Sequence, residues 1–132
     1  MGQDEHIDAL SGNSAGQNQT RSPGIRLKLF IAEETVGIGK IELLQAVDTT
    51  GSISAAAEAM GMDYRRAWFL LKSMQQGFNA PLFTTRRGGT GRGGASLTAL
   101  GKEVIERYWD TKAVIDKQTE PLLQWLEAHQ AD

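Results

Sequence analysis

The sequence predicts a mainly α-helical domain with one small β-hairpin. Three observations carry that reading. Residues 52–76 hold two short helical patterns on either side of Gly61, the spacing of two helices joined by a tight turn. Residues 82–97 read as two short strands around a tip rich in glycine and arginine. From Thr98 an apolar periodicity of helical type runs to about residue 128. Helix pair, hairpin and terminal helix, in that order, make a winged helix-turn-helix with a long C-terminal dimerisation helix.

Each element has its own justification. Residues 1–24 are rich in Gly, Ser, Asn, Gln and Asp and nearly free of large apolar side chains, which predicts a disordered leader. Ser22, Pro23 and Gly24 punctuate the boundary, and residues 25–132 are expected to form the folded winged domain. Ile25, Leu27, Leu29 and Ile31 alternate with Arg26, Lys28 and Phe30, the period of a strand. Gly37 and Gly39 then break the chain. Ile41, Leu43, Leu44 and Val47 predict a helix, with Gly51 placed to cap its end. Ser52 or Ser54 caps an alanine-rich helix that Gly61 stops, and Asp63 caps another from Tyr64 to about Gln76. In that second helix Ala67, Leu70, Leu71 and Met74 form the apolar stripe. The small side chains of Ala56 and Ala57 let the pair approach, and Ile53, Met60 and Met62 fill the angle between them. Residues 82–86 and 95–97 are the strands of the hairpin. Thr98 caps the terminal helix through Val104, Ile105, Tyr108 and Trp109, which Pro121 breaks or kinks before Leu122, Leu123, Trp125 and Leu126.

Composition excludes several classes of function. The 132 residues include no cysteine and two histidines, His6 and His129, each close to a terminus. Disulfide scaffolds, thiol catalysis and cysteine-type zinc sites are thereby ruled out. No nucleophile, base and orienting group can be assembled, so neither an enzyme nor a cofactor is expected. No stretch approaches the roughly 18 apolar residues that cross a bilayer, and the N-terminus lacks the apolar core of a signal peptide. A cytoplasmic chain with no membrane partner is expected.

Net charge is −2, yet the charges are segregated. Residues 61–92 carry Arg65, Arg66, Lys72, Arg86, Arg87 and Arg92 against Asp63 alone. A basic block inside an acidic chain points to a local surface for a polyanion, with a merely solvated face as the alternative. The second helix of such a pair enters the major groove of DNA and reads bases from its N-terminal half. Arg65 and Arg66 can each bond two acceptors of guanine, and Tyr64 can reach a phosphate or a thymine methyl. Lys72 is better placed for phosphate. Ser52 and Ser54 can offer hydroxyl or backbone N–H groups to another phosphate. On the hairpin, Arg86, Arg87 and Arg92 can follow a phosphate backbone or enter a narrow minor groove. A nucleotide cradle is disfavoured there, because the glycine run lacks a Gly-Lys-Ser/Thr ending. Trp68, beside the core stripe, is expected to be a buried structural residue, with a stacking platform for bases as the alternative. Trp109 and Trp125, with Tyr108, Ile115 and Leu122, exceed what one small domain can cover, which predicts a homodimer; packing onto the first helix of the same chain is the alternative.

Two stretches add a resemblance. Gly51-Ser52-Ile53-Ser54-Ala55-Ala56-Ala57-Glu58 resembles the first helix of the helix-turn-helix in LysR-type regulators. Tyr64-Arg65-Arg66-Ala67-Trp68, taken with the run from Gly88 through Gly94 to Ala95-Ser96-Leu97-Thr98, resembles the N-terminal domain of the ModE family of molybdate-responsive transcription regulators. The resemblance implies DNA binding and dimerisation over roughly residues 25–110. Full-length members carry C-terminal β-barrel modules that bind molybdate or tungstate at a Ser-Ala-Arg-Asn-Gln motif. That motif does not occur in this sequence, so molybdate binding is not expected. The expectation is a sequence-specific regulator that binds double-stranded DNA as a dimer. A sensor-less partner subunit modulating a full-length regulator, and a small oxyanion-binding protein using the basic loop, are the other readings.

Overall fold

In the computed structural model, residues 22–87 and 93–132 are described. The chain runs β1 (Leu29–Ile31), β2 (Glu34–Val36), α1 (Ile38–Thr50), α2 (Ile53–Ala59), α3 (Tyr64–Gln75), β3 (Phe83–Arg86), β4 (Gly94–Leu97), α4 (Ala99–Gln118) and α5 (Glu120–Ala128). The leader and the wing-tip glycines of the sequence reading lie mostly or wholly outside the described residues. Both sheets are antiparallel pairs, Leu29 opposite Val36 in the first and Phe83 opposite Leu97 in the second. This is a winged helix-turn-helix: α2 and α3 are the helix pair and β3–β4 the wing.

The caps explain where the helices begin. Ser52 Oγ accepts from the Ala55 N–H at 3.0 Å, Asp63 Oδ1 from Arg66 at 2.8 Å, and Thr98 Oγ1 from Gly101 at 3.0 Å. Each satisfies a donor that the first helical turn leaves without an internal partner. Gly51 ends α1 at φ +86° and gives its N–H to the Val47 carbonyl at 2.8 Å, a conformation costly for any residue with a Cβ. Gly61 makes the same kind of bend, at φ +71°, between α2 and α3.

Three expectations need correction at the N-terminal side. The strand expected over residues 25–31 is confined to its last three residues. It returns as β2, which the pattern did not reveal, through Ala32 at φ +56°. A two-residue turn usually announces itself with glycine or asparagine at such a position, and here alanine occupies it. Gly39 does not break the chain; it lies in the first turn of α1, and Gly37 alone is the cap.

The core joins α1 (Ile41, Leu43, Leu44, Val47) to the α3 stripe (Ala67, Leu70, Leu71, Met74), with Val36, Leu82, Phe83 and Leu97 from the strands. Ala56 and Ala57 are buried where α2 crosses, as their small size allows. The wing is tied in from two sides: Ala95 N–H donates to the Gly51 carbonyl at 2.8 Å, and Thr98 N–H to that of Leu82 at 3.0 Å.

The terminal helix behaves differently from the prediction. Tyr108 is buried, and its hydroxyl donates to the Leu27 carbonyl at 2.8 Å. Trp109 packs edge-to-face on Tyr108 and donates through Nε1 to Gln45 Oε1 at 3.0 Å. These two residues therefore serve their own chain. The helix ends at Thr119, before Pro121, which occupies the first turn of α5 where a missing N–H costs little.

Burial, reinforced by Glu42 and Asp116 and opposed by Arg26, holds the Tyr108 phenol above its ordinary value of 10.0. The unfolded chain then releases this proton first. The contribution is complete below pH 10 and is lost as pH rises through the higher folded value. Tyr108→Phe is expected to cost about 1 kcal/mol at neutral pH, because the Leu27 carbonyl loses its donor. The same substitution should flatten the alkaline decline in stability, as read by urea titrations at pH 7 and above 10.

Candidate nucleic-acid interface

Helix α3 turns Ala67, Leu70, Leu71 and Met74 inward. At about 100° per residue, the opposite face carries Arg65, Phe69, Lys72 and Gln76. All four are exposed. Tyr64 stands at the N-terminal end, half out at 51 % exposure, and Arg66 is exposed on the flank. The Asp63 carboxylate, the sole acid of this segment, is engaged in capping Arg66. Among the described residues no ion pair engages Arg65, Arg66, Lys72, Arg86 or Arg87. Their charge is available to an external anion.

The other predicted residues arrange themselves around α3. Lys72 Nζ sits 5.3 Å from the centre of the Trp68 indole, which holds the ammonium beside the helix at modest cost. Trp68 is half-buried, not fully buried as expected, because one edge meets Phe83 (ring centres 6.3 Å apart) while its flank borders an open groove. That groove, about 640 Å³, separates α3 from the wing and is lined by Trp68, Lys72, Phe78, Phe83, Thr84 and Thr85 among others. Ser52 spends its hydroxyl oxygen on the cap of α2, whereas Ser54 is exposed in the first turn of that helix. The Arg86 guanidinium lies over Gly94, in the space a Cβ would take, and Arg87 is exposed just past β3. Arg92 lies outside the described residues.

Two contributors escaped the sequence reading. Phe69 is apolar yet falls off the core stripe, a mismatch that a helical wheel alone exposes. Gln75 donates through Nε2 to the Ala80 carbonyl at 2.8 Å and accepts from the Leu82 N–H at 2.7 Å. One amide thus spans the loop that carries the chain from α3 into the wing. Nothing in the local pattern distinguishes this glutamine from an ordinary solvated one. Among the described residues no three His, Cys, Asp or Glu side chains converge on a metal position, and no helix is long and apolar enough to cross a membrane.

An exposed cationic helix face beside a wing is the anatomy of a winged helix-turn-helix of the DNA-binding regulatory class. Residues 38–102 match the family described as bacterial regulatory helix-turn-helix protein, lysR family. The chain is 39 % identical over 82 residues to the molybdenum-pterin-binding protein MopB of Rhodobacter capsulatus, covering 62 % of this chain and 30 % of that protein. It is 37 % identical over 79 residues to the transcriptional regulator ModE of Yersinia pestis, covering 60 % and 30 %. With the DNA-binding transcriptional dual regulator ModE of Escherichia coli K12 it shares 38 % over 69 residues, covering 52 % and 26 %. The chain therefore spans under a third of the length of these curated relatives. Its matched segment is similar to the lysR-type helix-turn-helix and to the corresponding part of these ModE and MopB relatives.

Proposed function

We propose that the chain is a sequence-specific transcription regulator that binds double-stranded DNA as a homodimer. The observation that carries this reading is the outward face of α3, where Arg65 and Lys72 stand exposed and without an ion pair among the described residues. In use, the N-terminal half of α3 reads base edges in the major groove. The wing follows the phosphate backbone through Arg86, Arg87 and Arg92, and the front of α2 meets a phosphate with Ser52 and Ser54. Tyr64 and Lys72 bracket the helix on the backbone side, and Arg66 contacts a base or phosphate at its flank.

Dimerisation is assigned to the end of the chain. Val114 on α4 and Leu122, Trp125 and Leu126 on α5 are exposed, Trp125 at 58 % even with the His129 ring stacked on one face of its indole. An apolar surface of this kind is ordinarily covered by a second subunit. Two copies so joined present two α3 helices to successive major grooves of a near-palindromic site. The likeness to proteins named for molybdenum suggests target genes in the handling of that metal. The oxyanion itself is not assigned to this chain, because its candidate cations are exposed to solvent and competing anions.

Selection of bound duplexes from a random pool by the full chain tests the reading; recovery of a two-fold site supports it, and recovery of no preferred sequence defeats it. Arg65→Ala is expected to cost about 1–3 kcal/mol and to relax preference at one position per half-site. Arg87→Ala should instead weaken binding to every sequence by a similar factor. Side-by-side titrations of selected and scrambled duplexes separate the two outcomes.

A further inference from the structure

We propose that Phe69 is a specificity-determining residue whose ring meets the 5-methyl group of a thymine in the major groove. The inference rests on the DNA-binding reading above and deepens it by naming a base. Its ring is 66 % exposed, the largest exposure of any apolar side chain on α3. It points about 150° around the helix axis from the centre of the core stripe, and among the described residues it is no part of the hydrophobic core. Phe69 lines neither the groove beside the wing nor the hollow between α1 and Trp109. Arg65 lies one turn before it and Lys72 nearly one turn after, on the same face, so the ring sits between two cations.

That arrangement narrows the occupant. An apolar protein surface would cover the ring but bury Arg65 and Lys72 without partners, at high cost. Free phosphate would satisfy the cations and leave the ring in water. The major groove supplies both requirements within one turn of helix: phosphates and guanine acceptors for the cations, and the thymine methyl as its apolar group. Cytosine presents no such methyl, so contact here discriminates thymine from cytosine at the position beneath the ring. The ring adds no hydrogen bond, and its preference is read entirely through removal of one small apolar group from water.

The test uses the full chain and its selected duplex. Each thymine is replaced in turn by deoxyuridine, which removes the methyl and nothing else. One thymine per half-site is expected to show an approximately fourfold loss of affinity, the worth of one methyl-sized group. Phe69→Ala should bind thymine and deoxyuridine at that position equally well, while Phe69→Leu keeps part of the difference. Unchanged melting and far-ultraviolet dichroism should accompany both variants, since the ring lies outside the core. The proposal is overturned if no thymine is sensitive to methyl removal, or if Phe69→Ala retains the wild-type sensitivity. Either result leaves DNA binding itself intact. Failure of the wild-type chain to select any duplex overturns the function reading and this one with it.

Discussion

Raising salt from 50 to 200 mM should weaken DNA binding by a factor of about 10³–10⁵, if the dimer neutralises some six to ten phosphates. The reasoning is electrostatic. Arg65, Arg66, Lys72, Arg86 and Arg87 are exposed, and among the described residues none is committed to a carboxylate, so each phosphate contact releases condensed counterions. Fluorescence anisotropy across that salt range measures the slope directly. The same experiment examines the dimer. Trp125→Asp puts a charge on the exposed apolar face of α5 and should yield a monomer whose logarithmic slope is about half as steep. A flat salt response would remove the phosphate contacts on which the whole proposal depends. An unchanged slope for the monomeric variant would show that one copy makes all of them.

Gly101→Ala is expected to be the most damaging single-methyl change in the fold, at about 3 kcal/mol. A Cβ at Gly101 would fall on the Leu82 carbonyl oxygen, which already accepts the Thr98 N–H at 3.0 Å. Both sides of this contact are backbone, so neither can rotate away. The clash would force α4 off the base of the wing and disturb Leu82, which is completely buried. Gly24→Ala is the natural control, since nothing lies within 4 Å of the position its Cβ would take. Urea denaturation of the two variants should separate them clearly, and equal midpoints would mean that the close approach of α4 to Leu82 is easily relaxed.

What was legible in the sequence follows the range of the interaction involved. Asp63 and Thr98 could be identified as caps, and the cap of α2 narrowed to Ser52 or Ser54, because such oxygens act on N–H groups three residues away, a relation that sequence displays directly; the fold selects Ser52. Periodicity likewise assigned Ala67, Leu70, Leu71 and Met74 to the core. It says which face is covered but not what covers it. For that reason Tyr108 and Trp109 could be given to a partner copy while the fold spends them on Leu27 and Gln45. Strand β2 escaped because Ala32 takes a turn conformation that alanine seldom adopts. In the interface, the cations of α3 and the wing were visible from charge alone. Phe69 was not, since an apolar residue on a helix is ordinarily credited to the core. Gln75 escaped too, because its two partners are backbone atoms that only the folded loop brings within reach.

The hydrogen bonds from Tyr108 to Leu27 and from Trp109 to Gln45 mark the last points at which α4 is fastened into the domain, since no residue beyond Tyr108 is fully buried. The remaining turns of α4 form a cantilever. Their length is set by nothing in the hydrophobic core, so gain or loss of a turn there leaves the stability of the domain nearly untouched. In a dimer joined at the free end, that overhang acts as a ruler between the two α3 helices. The distance between half-sites on the DNA and the identity of the bases within each half-site are then written on separate helices. A descendant of this chain could change its operator spacing through α4 while leaving the letters read by α3 unaltered.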